Sequence, residues 1–235
     1  MVNCTNCGAP LKDGAKFCGA CGVKAEARCS CEETPEVQRF CTECHAKLEP
    51  GEKFCTQCGV PENPQETDPS YFEAEDCDGG CRIKQYTGPE VGAVYIPSCI
   101  GGKKVVEIGE GAFVQRSSLT SITIPNGVTE IGGNAFTGCE SLAKIIIPSG
   151  VTKIGEGAFA FCTSLAILIL PDSLTEIGFQ AFLSCESLIS VTIPEGVTEI
   201  GSFAFQNCDC LSLDVCAGSA AEQYALDERL PFRTI

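Results

Sequence analysis

The chain has 235 residues, with 16 basic and 31 acidic side chains and a formal net charge of −15. A hydrophobic content of 44% allows a buried core, whereas the acidic balance argues against non-specific binding to nucleic acid or anionic membranes. No apolar run approaches the roughly 20 residues that cross a bilayer.

The N-terminus, MVNCTNCGAPLKDG, lacks the basic stretch and apolar run of a secretory signal. We therefore expect a cytoplasmic location. In a reducing compartment, the nineteen cysteines are expected to be metal ligands or buried thiols rather than disulfides.

Two N-terminal segments share one cysteine spacing. Residues 4–22 read CTNCGAPLKDGAKFCGACG, residues 41–59 read CTECHAKLEPGEKFCTQCG, and both contain C-x2-C-x10-C-x2-C. Two such pairs joined by a hairpin direct four thiolates to one point, which suits tetrahedral Zn²⁺. Since protein fills all four positions, we expect two structural zinc ions rather than catalytic ones. The predicted ligands are Cys4, Cys7, Cys18 and Cys21 for one ion and Cys41, Cys44, Cys55 and Cys58 for the other.

Other pairings remain open. Cys29 and Cys31 fit neither copy, and one alternative groups them with Cys41 and Cys44, leaving Cys55 and Cys58 to pair with Cys77 and Cys81. Disulfide-bonded hairpins would need an oxidising compartment. The only histidine, His45, is interpreted as exposed rather than a ligand, because four sulfurs are already supplied.

The C-x-x-C-G and F-C-x-x-C-G knuckles resemble the bacterial zinc-ribbon family, although His45 stands where glycine is usual. We place zinc ribbon 1 at 1–24, a connector at 25–40 and zinc ribbon 2 at 41–60. The proline-rich, acidic residues 61–70 are predicted to form a flexible linker to a domain at 71–235.

A 23-residue repeat fills most of the second domain. Four units begin at Leu119, Leu142, Leu165 and Leu188, and a looser unit precedes them. Each unit predicts a strand with one buried face, a proline that ends it, an I-G turn and a closing A-F-x-x-C. One unit has too few apolar groups to be stable alone, so we expect the units to stack into a parallel sheet with a continuous core.

The signature L-x-x-I-x-I-P-x-x-V-x-x-I-G-x-x-A-F-x-x-C resembles the BspA-like class of leucine-rich repeats. That resemblance implies a right-handed solenoid with a protein-binding role. The expected fold class is therefore a β-rich leucine-rich-repeat solenoid with a C-terminal capping helix, preceded by two small zinc ribbons.

Stacking the units predicts two columns of side chains. One contains phenylalanines, and the other contains cysteines that could be a redox or metal array but are interpreted as small buried hydrophobes. Arg116 takes the cysteine's place in the first unit and indicates a hydrated edge there. The members are Phe113, Phe136, Phe159, Phe182 and Phe205, and Cys139, Cys162, Cys185 and Cys208.

A helix is predicted to close the chain. Ser219 and Glu222 form an S-x-x-E capping box, and Pro231 lies beyond the helix. Ala221, Tyr224 and Ala225 are expected to cover the last coil.

The outward strand positions suggest a partner-binding face containing Tyr95, Ile146, Ile167 and Ile169. Contiguous exposed apolar surface often marks a partner site. The alternatives are β-propensity without a ligand, or cover by another part of the chain.

No catalytic motif is present, so the expected function is a non-enzymatic protein-interaction scaffold. The alternatives are a nucleic-acid- or transcription-associated zinc-ribbon adaptor, which the acidic charge disfavours, and a surface adhesin, which needs export. The oligomeric state is not predicted.

Overall fold

The computed structural model describes residues 67–89 and 92–235, together with the backbone of four short strands nearer the N-terminus. Strand β1 (Val2–Asn3) pairs antiparallel with β2 (Pro10–Leu11), and β3 (Arg39–Phe40) pairs in the same way with β4 (Lys47–Leu48). Each hairpin brackets the first C-x-x-C of one cysteine segment. The eight predicted zinc ligands and His45 lie outside the described residues.

The described solenoid begins within the segment predicted to be a flexible linker. The Thr67 N–H donates to the Tyr95 carbonyl at 3.0 Å, and the Tyr95 N–H donates to the Thr67 hydroxyl at 2.9 Å. The Asp68 carboxylate accepts from the Ser70 N–H and caps a 3₁₀ turn at Pro69–Tyr71. Residues 67–70 are thus held against the first turn.

An antiparallel hairpin covers the N-terminal end of the stack. It consists of β5 (Phe72–Cys77) and β6 (Gly80–Tyr86), and β6 also pairs in parallel with a later strand. The looser unit that follows contributes β7 (Ala93–Tyr95), β8 (Cys99–Ile100) and β9 (Lys103–Ile108). Sequence patterns did not reveal this hairpin cap, since it lies outside the repeat.

Each regular unit supplies one three-residue strand and one two-residue strand. The I-P step and the turn that follows it separate the two strands, so they join different sheets; the second strand lies within the V-x-x-I-G segment. In chain order they are β10 (Ser121–Thr123), β11 (Glu130–Ile131), β12 (Lys144–Ile146), β13 (Lys153–Ile154), β14 (Ile167–Ile169), β15 (Glu176–Ile177), β16 (Ser190–Thr192) and β17 (Glu199–Ile200).

Parallel pairing between equivalent strands builds a solenoid of about seven turns. The first strands form a sheet in the order β14-β12-β10-β7, and the second strands form one in the order β17-β15-β13-β11-β9-β6-β5. Ile146 faces Ile169 in the first sheet, and Ile154 faces Ile177 in the second. The predicted stacked solenoid is confirmed.

The C-terminal end is closed by the single described helix, α1 (Ala220–Asp227). The Ser219 hydroxyl accepts from the Glu222 N–H at 3.2 Å, and the Glu222 carboxylate accepts from the Gly218 N–H at 2.7 Å. Ala221, Tyr224 and Ala225 are buried, as predicted. Strand β18 (Ser212–Val215) precedes the helix and pairs in parallel with β16 and with β19 (Phe232–Thr234), which follows the helix.

The core contains the predicted column of phenylalanine rings. Neighbouring rings from Phe113 to Phe205 are stacked with centroids 5.1–5.3 Å apart. Tyr86 stacks on Phe113 at 5.4 Å, and Tyr224 closes the other end against Phe205 at 6.3 Å. Because Tyr224 also accepts the Phe205 N–H at 3.2 Å, its hydroxyl has a partner where the column ends.

The cysteine column runs beside the rings. Each thiol donates to the carbonyl of the column phenylalanine in the preceding turn, for example from Cys162 to Phe136 at 3.3 Å and from Cys185 to Phe159 at 3.2 Å. The cysteines are therefore buried, as expected, but they also act as hydrogen-bond donors. A neutral S–H is suited to this place because it needs no second partner.

Arg116 performs the same task in the first turn. Its guanidinium donates to the Tyr86 carbonyl and lies over the Tyr86 ring, with Cζ 5.4 Å from the centroid. The expectation of a hydrated edge at Arg116 is wrong, since the β5–β6 hairpin covers this end and Arg116 is half-buried. The longer side chain is required because the hairpin replaces a regular turn.

Two positions of each turn adopt left-handed backbone conformations. They lie two residues after the I-G glycine and two residues after the column phenylalanine. The first set is Gly111, Asn134, Gly157, Gln180 and Phe203, and the second is Gln115, Gly138, Phe161, Ser184 and Asn207. This geometry folds the A-F-x-x-C segment into a compact turn, and glycine occupies only three of the ten places.

Glycine follows isoleucine in the I-G step because of steric contact between turns, not because of a left-handed backbone. A Cβ added to Gly155 would lie 2.6 Å from the Gly133 nitrogen, and one added to Gly201 would lie 2.3 Å from the Phe179 nitrogen. Consecutive turns therefore approach too closely at this point for any other residue.

Candidate interaction surface

The outward face of the β14-β12-β10-β7 sheet carries the predicted partner-binding residues. Ile167 and Ile169 point outward from β14 and are 49% and 40% exposed, whereas Leu168 between them is buried. Ile146 is half-buried and lies in register with Ile169. The structure thus brings three of the predicted residues together as an apolar patch of Ile146, Ile167 and Ile169.

Tyr95 lies apart from the apolar patch. It is on β7, at the far edge of the sheet, and β10 with Thr123 lies between it and β12. Its backbone is bonded in both directions to Thr67. Tyr95 is therefore at the N-terminal boundary of this face, not part of the same cluster.

The apolar patch lies where the sheet is interrupted. The hydrogen-bonded sheet ends at β14, and the three-stranded sheet β16-β18-β19 begins one turn later. Beyond this seam the outward side chains become polar, with Ser190 and Thr192 exposed. Arg233 then forms two hydrogen bonds of 3.0 Å with Asp214, which also accepts from the Ser190 hydroxyl at 3.3 Å.

The cysteine column has the wrong chemistry for a redox or metal site. Burial raises the pKa of Cys139 to about 12 and that of Cys208 to about 11, and it raises the thiol pKa of Cys162 and Cys185 further. The reactive and metal-binding form is the thiolate. All four therefore stay protonated near neutral pH.

Cysteines elsewhere in the described ranges do not assemble a metal site. Cys81 is buried and donates to the Lys103 carbonyl at 3.7 Å, which disfavours the alternative grouping with Cys55 and Cys58. Within residues 67–89 and 92–235, no group of three or more histidine, cysteine or acidic side chains is placed to hold a metal. Cys99 is disulfide-bonded, contrary to the expectation for a reducing compartment.

A second exposed apolar feature escaped the sequence analysis. Phe179 and Phe203 lie on consecutive turns, are 40% and 41% exposed, and make an edge contact with centroids 6.1 Å apart and planes at 72°. The available signal was a phenylalanine immediately after, or two residues after, the I-G glycine, where other units have small or polar residues.

The described helix α1 has eight residues, and no helix in the described ranges has the length and apolar character of a bilayer span.

Comparisons with known families agree with both halves of the sequence interpretation. Residues 4–59 match the double zinc ribbon family, and residues 102–225 match six copies of the BspA type leucine rich repeat region. The comparison with curated proteins found no match.

Several solved structures share the solenoid. A leucine-rich repeat protein of T. pallidum is 40% identical, with a TM-score of 0.62 over 64% of this chain and 71% of the other. One from Bacteroides ovatus is 35% identical, with a TM-score of 0.56 over 62% of this chain and 39% of the other. The pneumococcal vaccine antigen PcpA, at 16% identity and a TM-score of 0.52, shows the fold alone.

The repeat match covers more than half of the residues and coincides with the stacked turns of the structure. The chain therefore belongs to the BspA-type leucine-rich repeat family and carries a double zinc ribbon ahead of its repeats.

Proposed function

We propose that the protein is a non-enzymatic interaction scaffold whose solenoid captures a protein partner through its outward sheet face. The observation that carries this proposal is the exposure of Ile167 and Ile169 on one strand, next to Ile146. Apolar side chains that are 40–49% exposed on a rigid sheet are suited to burial against a partner.

The proposal assigns structural zinc to the N-terminal segments. It is supported by the double zinc ribbon match and by two equivalent hairpins, β1–β2 and β3–β4, around the first cysteine pair of each copy. The ligands are the two four-cysteine sets given above, one for each ion. Thiolate ligands complete a closed tetrahedral site and provide the folding free energy that a small ribbon lacks.

A binding role is more consistent with these residues than catalysis. The sole histidine, His45, falls in the second ribbon segment, and the column thiols are protonated and buried. The proposal includes a cytoplasmic location, since zinc thiolates must remain reduced; the disulfide at Cys99 is the observation that opposes it. Cell fractionation tests this location, and recovery outside the cytoplasm would contradict it.

The partner face is tested by affinity capture with the full chain. Ile167→Lys combined with Ile169→Lys is expected to abolish capture while circular dichroism and Tm remain those of the unmodified protein. The matched control is Val114→Lys with Leu226→Lys, which charges two exposed apolar residues away from the β14 strand. Unchanged capture by the first variant would reject this face.

A further inference from the structure

We propose that Phe179 and Phe203, with the carboxylates around them, form a second docking surface for an arginine-rich peptide segment of a partner protein. The two phenylalanines of this aromatic pair follow β15 and β17, which belong to the sheet of two-residue strands. The apolar patch lies on the other sheet. The surface is therefore separate from the one in the proposed function.

The two rings of the aromatic pair meet edge to face and remain partly exposed. The ring planes meet at 72° with centroids 6.1 Å apart, and both rings are about two-fifths exposed. An edge contact of this kind leaves a ring face accessible to solvent. A guanidinium stacks favourably on such a face because the ring quadrupole is negative there.

The backbone of Phe203 indicates that its aromatic side chain is not there for turn geometry. Phe203 has φ of 60°, in the left-handed region, where a bulky side chain is unfavourable. Equivalent places in other turns hold glycine, asparagine or glutamine. Phe161 shares this conformation, so what distinguishes Phe203 is that its exposed ring is paired with that of Phe179.

Charge complementarity identifies the occupant as cationic. From residue 165 to the C-terminus there are ten acidic and two basic side chains, and one of the basic ones, Arg233, is bonded to Asp214. Glu199 is exposed on β17, four residues before Phe203, and the Glu228 carboxylate accepts the Phe203 N–H at 3.3 Å. Arg229, next to Glu228, is the second basic residue, so ten acidic less two basic side chains leave this region with a formal net charge of −8.

The test uses fluorescence anisotropy with the full chain and a labelled ten-residue peptide of alternating arginine and glycine. A citrulline version keeps the size and planarity of the side chains but removes their charge and replaces one terminal NH₂ donor by a carbonyl acceptor. Phe179→Ser and Phe203→Asn copy the residues at equivalent places, Ser202 and Asn134. Phe161→Asn is the matched control, since Phe161 is also exposed and left-handed but lies outside the pair.

We expect each substitution in the pair to weaken arginine-peptide binding about three- to fivefold, and the double variant to weaken it about tenfold or more. Glu199→Gln should weaken it about twofold and reduce its dependence on salt. The control should bind like the unmodified protein, and Tm should shift by at most about 4 °C in the aromatic variants. Ile167→Lys with Ile169→Lys should leave peptide binding unchanged.

Three results would overturn the inference. The first is no binding of the arginine peptide, and the second is equal binding of the citrulline peptide. The third is unchanged affinity in the aromatic variants, which would mean that diffuse negative charge alone attracts the peptide. Should Phe203→Asn fail to fold, Phe179→Ser alone decides, because its backbone is not left-handed.

Discussion

The cysteine column predicts a specific loss of stability at alkaline pH. Burial raises the pKa of these thiols from 9.0 to about 12 at Cys139 and about 11 at Cys208, and raises it in the same direction at Cys162 and Cys185. Between pH 9 and these values the unfolded chain loses protons that the folded chain keeps. The stabilisation is therefore complete below pH 9 and decreases as the pH rises.

The magnitude follows from linkage. At pH 10 each thiol that ionises only in the unfolded state costs about 1.4 kcal/mol of unfolding free energy, so four thiols cost roughly 5 to 6 kcal/mol relative to pH 8. Such a loss is a large part of the stability of an ordinary domain. The pH range of the measurement ends at pH 10 because the buried side chains of Tyr86 and Tyr224, whose pKa values are also raised, change the unfolding free energy above that pH.

The assay is urea unfolding of the full chain at pH 8 and pH 10 under reducing conditions, followed by far-ultraviolet circular dichroism. Cys162→Ala is expected to reduce the loss between the two pH values by about 1.4 kcal/mol, since it removes one column thiol; Cys77 and Cys81, whose thiol pKa values burial also raises, are present in both proteins. Cys210→Ala, which removes an exposed thiol, is the matched control and should behave like the unmodified protein. An equal loss in Cys162→Ala and the unmodified protein would refute the linkage.

Three further outcomes are expected. Phe159→Ala should lower the unfolding free energy by about 3–5 kcal/mol, because it leaves a cavity between rings at 5.1 and 5.3 Å; a loss below about 1 kcal/mol in denaturant titration would contradict a rigid column. Ser219→Ala should cost about 1 kcal/mol by removing the cap of α1, whereas Ser219→Asn should retain most of it, and equal Tm values for both would exclude capping. Elemental analysis should find two zinc ions per chain, and a chelator should remove them without changing tyrosine fluorescence, because all four tyrosines, Tyr71, Tyr86, Tyr95 and Tyr224, lie in the solenoid; a changed signal would show that zinc also supports the repeats.

Much of the solenoid was predictable because each position of the sequence repeat occupies the same place in every turn. The buried strand residues, the phenylalanine column and the capping serine follow from spacing alone, and each occupies its expected place. The I-G glycine was recognised as a turn residue, whereas its steric cause, contact with the preceding turn, required coordinates.

The features that escaped prediction are those that occur once. The β5–β6 hairpin lies outside the period, so no alignment of units reveals it, and Arg116 was misread because its partner, the Tyr86 carbonyl, belongs to that hairpin. The left-handed positions were hidden because asparagine, glutamine, serine and phenylalanine share them with glycine. The apolar patch was identified from strand alternation, but the separation of Tyr95 from it depends on strand order.

The pairing of every turn with only its immediate neighbours has a consequence for how such a chain can grow. The hairpin caps the first turn and α1 caps the last turn. Duplication of one internal unit would therefore lengthen the solenoid by one turn of about 4.8 Å and leave both caps unchanged. The length of the outward face along the solenoid axis is thus adjustable in fixed increments of one turn, without a change in the core contacts of the other units.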